Sequence, residues 1–218
     1  MKQLGGCGSP LRTQFVGRSL IHWALDNTHT IPPVIHLIGP GGAGKSAVAP
    51  HVATLLGCPV IDLDRAFEAL HGDIDHFIGK HGYAVYAAAN VATYLTVRSS
   101  TSAVVALSSG FMVYSTDVYP GLHELRRELV AAPTTVLLLP SLDLEICVAE
   151  TVRRQRERNL TIRRSSVREE TVIRERSAQY RSLTERIVTT MQSPAGVARD
   201  VLDCIGVTLN DGLGARAL

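Results

Sequence analysis

Gly39-Pro40-Gly41-Gly42-Ala43-Gly44-Lys45-Ser46 fits the pattern G-x-x-x-x-G-K-[ST] with its spacing intact. Residues 34–38, Val-Ile-His-Leu-Ile, form a short apolar run of strand character, and residues 46–56 carry helical apolar spacing. The motif therefore sits between a strand and a helix, the context a phosphate-binding loop requires. Glycines let backbone N–H groups turn inward toward phosphate oxygens, and the following helix adds its positive N-terminal end. In such a loop Gly39, Gly41, Gly42, Ala43, Gly44 and Ala47 cradle the nucleotide. Lys45 reaches the β- and γ-phosphates, and the Ser46 hydroxyl binds Mg²⁺.

The rest of the chain alternates in the same way. Strands are expected at 34–38, 59–61, 104–107, 135–139 and 187–190, with helical stretches at 46–56, 65–97, 122–130, 144–186 and 194–205. The 144–186 stretch is interrupted near 159–166. This alternation predicts an α/β fold of the P-loop NTPase kind: a five-stranded parallel sheet with helices on both faces. Gly57 is a helix stop. Pro50, beyond the first turn of the loop helix, is expected to kink or loosen it. Residues 1–33 read as an appendage, with a short helix around Trp23, 34–208 as the catalytic domain, and 209–218 as a frayed tail.

Composition narrows the function classes. The 218 residues carry a formal net charge of only +2, so the whole protein is no polyanion binder. Only three lysines occur, Lys2, Lys45 and Lys80, whereas eleven arginines fall between Arg153 and Arg186. The cysteines, Cys7, Cys58, Cys147 and Cys204, have neither C-x-x-C spacing nor the density of a disulfide framework, which fits a reducing cytoplasm. No 18-residue apolar run or signal-peptide pattern is present, so no membrane partner is expected. His71, His76 and His81 recur every five residues, a spacing that suits neither a helical metal pair nor a zinc motif.

Which phosphate-loop class this is depends on the acids. The Asn-Lys-x-Asp of guanine-specific GTPases is missing, and the third and fourth strands end without the acids of motor-type ATPases. The acidic strand end is Val60-Ile61-Asp62-Leu63-Asp64, after strand two, where small kinases face acids toward the phosphate loop. Here the chain resembles shikimate kinase and its small-molecule kinase relatives, from about residue 34 to 205. Beyond the loop and the Asp-x-Asp, residues 74–90 match the length of the family's Ile-x-x-[Ile/Phe]-Phe-x-x-x-Gly-Glu-x-x-Phe-Arg-x-x-Glu segment, with Gly82 at its glycine and Tyr86 at its second phenylalanine position. Arg176-Ser177-Ala178-Gln179-Tyr180 matches the family's Arg-x-x-x-Tyr, and Ser193-Pro194 looks like its adenine-contacting turn.

The resemblance implies an ATP- and Mg²⁺-dependent kinase acting on a hydroxyl of a small molecule. Asp64 would hold, and help deprotonate, that hydroxyl, and Asp62 would hold Mg²⁺ through water. The alternative reading of Asp62 and Asp64 is as helix N-caps, common for Asp after a strand. Tyr83, Tyr86, Ser109, Gly110 and Arg176 would line the acceptor pocket. Residues 153–168 would form an arginine-rich lid, with Arg158 and Arg163 stabilising charge on the transferred group and Arg156 touching nucleotide. Arg164 is a further candidate for contacting phosphate or adenine.

The departures concern the acceptor. The family's substrate-binding arginine falls on Ala87, its two glutamates on Tyr83 and Asn90, and its Gly-Gly-Gly on Ser108-Ser109-Gly110. An acceptor less anionic than shikimate is expected, with shikimate itself, a nucleoside, a sugar or an antibiotic as alternatives. A nucleic-acid-associated ATPase using the arginine block is a further alternative. Because no aromatics interleave with those arginines, nucleic acid is not expected as a partner. The sequence is compatible with a monomer or a dimer.

Overall fold

The structure, a computed structural model, describes residues 34–98, 102–158 and 166–207. Among the described residues five strands form one parallel sheet: β1 (Ile35–Ile38), β2 (Val60–Asp62), β3 (Val104–Ala106), β4 (Thr135–Leu139) and β5 (Ile187–Thr189). Their order across the sheet is β2-β3-β1-β4-β5. His36 of β1 lies opposite Val105 on one side and Thr135 on the other. The first strand is thus central, with β2 and β3 on one side of it and β4 and β5 on the other. Ligands of such sheets bind outside the carboxyl ends of the strands at this switch point.

Among the described residues eight α-helices cover the two faces: α1 (Lys45–Leu56), α2 (Leu63–His71), α3 (Ile74–His81), α4 (Tyr83–Val97), α5 (Leu122–Ala131), α6 (Leu144–Arg158), α7 (Ser166–Arg181) and α8 (Pro194–Cys204). Strand side chains alternate between faces. Ile35, Leu37, Val136 and Leu138 meet Val48, Val52, Val197 and Val201 from α1 and α8. Ile38, Leu137 and Leu139 join Phe67, Val91, Leu125 and Tyr180, which come from α2, α4, α5 and α7. Burial on both sides explains why β1 and β4 are apolar runs without a polar face.

The boundaries differ from the sequence reading in instructive places. The single helical stretch expected over 65–97 is three helices. It breaks at Gly72 and Gly82, whose φ values of 84° and 85° are left-handed, and Asp73 caps α3 by accepting from the His76 N–H. Strand β2 begins at Val60, not Pro59. Pro59 has no N–H and pairs through its carbonyl alone, which accepts from the Val104 N–H at 2.9 Å. Helix α1 runs through Pro50 as one element, with Pro50 on its exposed side. Two 3₁₀ turns, Phe111–Val113 and Thr116–Val118, join β3 to α5 and were not anticipated. The appendage 1–33, the tail 209–218 and residues 159–165 of the expected lid lie outside the described residues.

Several arginines of the basic block serve the fold. Arg186 donates to the carbonyls of Val130, Ala132 and Thr135, tying the end of α5 to β4 and β5. Arg174 pairs with Glu145 and Arg181 with the Leu142 carbonyl, fastening α7 to the start of α6.

One buried base has a consequence for stability. His36 lies in the sheet with its Nε2 3.0 Å from the Tyr94 hydroxyl, and its Nδ1 is buried without a partner among the described residues. Burial pushes the imidazole down from 6.5 to about 4. Below pH 6.5 the unfolded chain takes up a proton that the folded chain refuses until about pH 4. Stability is therefore lost as pH falls through this window, by up to about 3 kcal/mol. Urea midpoints measured at pH 7 and pH 5 are expected to drop more in the wild type than in His36→Gln, which keeps a partner for Tyr94 but does not titrate. Equal drops would remove His36 as the cause.

Candidate active site

The phosphate loop leaves β1 at Gly39, whose φ is 147°. Glycine is required there, because a Cβ would stand 2.4 Å from the Leu138 carbonyl oxygen of β4. Gly44 forms the N-terminal boundary of α1 without a side-chain cap, so the first N–H groups of the helix face the loop. Ser46 and Ala47 are exposed on the first turn, whereas Gly42 and Ala43 are buried. Lys45 does not point outward: its Nζ donates to the carbonyls of Gly39 at 2.7 Å and Pro40 at 3.0 Å.

Helix α6 holds the loop from the other side. Arg154 donates to the Gly42 carbonyl at 3.2 Å and to the hydroxyl and carbonyl of Thr190, just past β5, at 2.9 and 2.6 Å. Gln155 donates to the Gly41 carbonyl at 3.1 Å. Glu150 orients Arg154 through a 2.6 Å pair, and hydrogen bonds from Arg153 first, then Arg154, hold its carboxyl down at about 2. None of Arg154, Gln155 and Thr190 was singled out from sequence. Within an arginine-rich helix nothing marks which guanidinium turns inward. Arg156 is exposed on the same helix. Arg158 ends α6, its side chain outside the described residues, as is all of Arg163 and Arg164. Beyond β5, Ser193 caps α8 by accepting from the Gly196 N–H, and Pro194 occupies the first turn.

The two aspartates separate in role. Asp62 is the N-cap of α2, its Oδ1 accepting from the N–H groups of Asp64 and Arg65 at 3.1 and 3.2 Å. Asp64 caps nothing and accepts instead from the Ser108 hydroxyl at 2.5 Å, across from the end of β3. Behind Ser108, Asn90 donates to its Oγ at 3.0 Å, and Tyr114 donates to Asn90 at 3.2 Å. Sequence reasoning noted Asn90 only for the glutamate it replaces and passed over Tyr114, which lies between the two 3₁₀ turns.

A cavity of about 800 Å³ opens between the phosphate loop and α7. Every residue expected at the acceptor site lines it: Asp64, Tyr83, Tyr86, Ser109, Gly110 and Arg176. Pro40, Gly41 and Gln155 close it at the loop end, and Asp75, Ile74, Ile78, Tyr114, Val172 and Ile173 complete the wall. Arg176 donates to the Tyr83 hydroxyl at 3.0 Å, and Tyr180, one turn on, donates to the Ser109 carbonyl at 3.1 Å. The Arg-x-x-x-Tyr spacing thus puts one side chain in the cavity and one under its floor. Gly110 has no room for more, since a Cβ would lie 2.4 Å from Tyr114 and 2.6 Å from the Tyr83 hydroxyl oxygen. Ala87 is buried and lines a neighbouring cavity of about 370 Å³, which shares Tyr83, Tyr114 and Arg176 with the first.

Comparison with known proteins agrees with this arrangement. The shikimate kinase family model matches residues 41–206. A shikimate kinase from Halorhodospira halophila is 28% identical over 194 residues, covering 85% of this chain and 97% of that protein. Among solved structures, a shikimate kinase from Acinetobacter baumannii in complex with shikimate aligns with a TM-score of 0.60 and 24% identity, over 80% of this chain and 93% of that one. One from Bacteroides thetaiotaomicron aligns with a TM-score of 0.61 and 17% identity, over 80% and 98%. These two structural likenesses support the fold. With the family model matching 41–206, from within the loop through β5 and into α8, the chain belongs to the shikimate kinase family, kinases that use ATP to phosphorylate a hydroxyl group.

Proposed function

We propose that the cavity between the phosphate loop and α7 is the acceptor site, and that its acceptor is a hydroxylated small molecule less anionic than shikimate. The observation that carries this is Ala87. It stands, 1% exposed, where the resemblance puts a carboxylate-binding arginine, and it lines the adjoining smaller cavity that shares Tyr83, Tyr114 and Arg176 with the acceptor cavity. Among the described residues lining the cavity Arg176 is the only cation, engaged with Tyr83, and Asp64 and Asp75 line the same cavity. Tyr83, Tyr86 and Tyr114 add an aromatic wall. The family resemblance keeps shikimate as the second reading, with Arg176 as its anchor.

In this reading the acceptor oxygen attacks the γ-phosphorus, the bond to the β–γ bridging oxygen breaks, ADP leaves, and the hydroxyl proton passes to Asp64. Gly39, Gly41, Gly42, Ala43, Gly44 and Ala47 cradle the phosphates. Lys45 exchanges its loop carbonyls for phosphate oxygens. Ser193 and Pro194 border the adenine. Residues 34–208 form the kinase domain with 153–168 as its lid, Arg158 and Arg163 neutralising the transferred charge and Arg156 meeting nucleotide. Residues 1–33 and 209–218 are appendage and tail.

The donor set fits Mg²⁺ better than a metal caged by protein. Among the described residues no group of three or more His, Cys, Asp or Glu side chains converges. An exposed Ser46 hydroxyl and the Asp62 carboxylate, whose Oδ1 is already used in capping, are the one or two protein oxygens that a phosphate- and water-bound magnesium ion takes. The ion supplies neutralisation of phosphate charge when bound. A cytoplasmic setting is part of the reading, since Cys58, Cys147 and Cys204 are free thiols and no described helix is long and apolar enough to cross a membrane. Nucleic acid is no partner in this reading, because Arg153, Arg154, Arg174, Arg181 and Arg186 are engaged within the protein.

Two outcomes test the phosphate-loop part of the reading. Lys45→Ala is expected to lower ATP-dependent phosphorylation to background while the protein stays folded. Mg-ATP at a hundredfold excess over its Kd is expected to stabilise the wild type by about 2.7 kcal/mol, read as a rise in Tm. A Lys45→Ala variant with full turnover would sink the kinase site as placed.

In a panel of hydroxylated metabolites, shikimate is expected to be a poor acceptor. Ala87→Arg is expected to raise kcat/KM for shikimate by about tenfold to a hundredfold, from charge-assisted hydrogen bonds to the carboxylate. Efficient shikimate phosphorylation by the wild type overturns the acceptor assignment.

Gly110→Ala is expected to destabilise the fold by about 1–3 kcal/mol by pushing against Tyr114, and to reduce turnover by tilting the aromatic wall. Thermal melts and steady-state rates of that variant check both.

A further inference from the structure

We propose that Tyr114, Asn90 and Ser108 form a directional hydrogen-bond relay that positions Asp64 for the acceptor hydroxyl and couples it to the aromatic wall of the acceptor cavity. The inference rests on the kinase reading for the role of Asp64, but the relay itself is a matter of geometry. Tyr114 Oη donates to Asn90 Oδ1 at 3.2 Å, Asn90 Nδ2 donates to Ser108 Oγ at 3.0 Å, and Ser108 Oγ donates to Asp64 Oδ1 at 2.5 Å. Asn90 is fully buried, Ser108 is 2% exposed and Tyr114 4%, so water does not substitute for any link.

The direction follows from chemistry. An ionised carboxylate only accepts, so Ser108 must spend its single proton on Asp64. Its lone pairs then call for a donor, which the Asn90 amide supplies from nitrogen. That fixes the amide's orientation and leaves its oxygen for the Tyr114 proton. Each member donates toward Asp64, and chains polarised in one direction strengthen each link. Reversing the chain requires Asn90 to turn its amide over inside a closed core. Oδ1 of Asp64 is thereby committed, and Oδ2 is the oxygen available to an acceptor at the cavity.

The tyrosines suit the task. Burial first, and the Asp64 charge second, push Tyr86 up to about 12, and burial pushes Tyr114 up as well. Both remain neutral, Tyr114 as a donor, at any working pH. Tyr114 also walls both cavities and stands in edge contact with Tyr83 and Tyr86, their ring centroids 5.9 and 6.3 Å away. An acceptor that shifts this wall moves the far end of the relay. The family resemblance puts a glutamate at Asn90 and a glycine at Ser108, so the relay is a feature of this chain's own residues. Ser108, Asn90 and Tyr114 are positioning residues, since they act through Asp64.

The test reads the carboxylate directly. In uniformly ¹³C-labelled full-length protein, the Asp64 side-chain carboxyl resonance is assigned by its loss in Asp64→Asn. It is expected to move in Ser108→Ala and, by less, in Tyr114→Phe, an isosteric change that keeps the packing. Ser108→Thr, which keeps the hydroxyl, is expected to restore it. The double variant Ser108→Ala/Tyr114→Phe is expected to match Ser108→Ala alone, because a relay cut at Ser108 no longer transmits Tyr114. ADP release with Mg-ATP and shikimate, and with Mg-ATP and water alone, is expected to fall about tenfold in kcat for Ser108→Ala with KM for ATP unchanged.

A resonance unmoved by Ser108→Ala, or single shifts that simply add in the double variant, overturns the relay. If Ser108→Ala does not fold, an unmoved resonance in Tyr114→Phe overturns it equally. Coupled resonances in a protein that phosphorylates nothing leave the relay standing and overturn the kinase role of Asp64 instead.

Discussion

The turn out of β1 depends on one close approach. At Gly39 the backbone passes so near the Leu138 carbonyl that a single methyl group would collide with it. That approach lets the loop fold back over the end of β4 and start α1 directly behind itself. It also sets the Gly39 and Pro40 carbonyls where Lys45 meets them. From the opposite side Arg154 and Gln155 bind the next two carbonyls of the loop. The loop is thus braced by its own lysine and by α6, and the braced shape is the preorganisation that phosphoryl transfer uses in place of covalent chemistry.

The sequence carried the fold to a large extent because parallel strands buried on both faces are nearly uniform apolar runs. Strand β4 was legible to the residue for that reason, lying between β1 and β5 with all five positions buried. The edge strand β2 was off by one, since proline enters pairing through its carbonyl only. The helices before β3 were legible as helical but not as three. Their separators, Gly72 and Gly82, act through backbone conformation, which composition does not distinguish from a tolerated helical glycine.

The site was legible where a motif fixes spacing and silent where tertiary contact decides. The phosphate loop and the residues from Asp64 to Arg176 expected at the acceptor site do converge on one cavity. The Asp-x-Asp pair, though, contains two different residues: Asp62 spends itself on the first turn of α2, while Asp64 faces the cavity. Tyr114 and Gln155 had no periodicity or motif to announce them, and Asn90 entered only as the replacement of a family glutamate. The arginine block illustrates the same limit. Eleven guanidiniums in one stretch look alike in sequence, yet Arg186 fastens strands, Arg174 fastens helices, Arg154 braces the loop and Arg176 enters the cavity.

The strand order also governs how the chain comes together in time. Among the described residues β1 is the first strand in chain order and the central one in the sheet, paired at Ile35 with Val104 and at His36 with Thr135. Neither neighbour exists while β1 leaves the ribosome. At about 5–20 residues per second, the apolar Ile35–Ile38 segment waits several seconds for its first partner and longer for its second. Both strand pairings of β1 are distant in sequence, so loop closure precedes any gain from pairing, and folding is slow relative to a helical protein of this size. The arrangement that brings the nucleotide loop to the middle of the sheet is the same one that leaves its strand uncovered longest during synthesis.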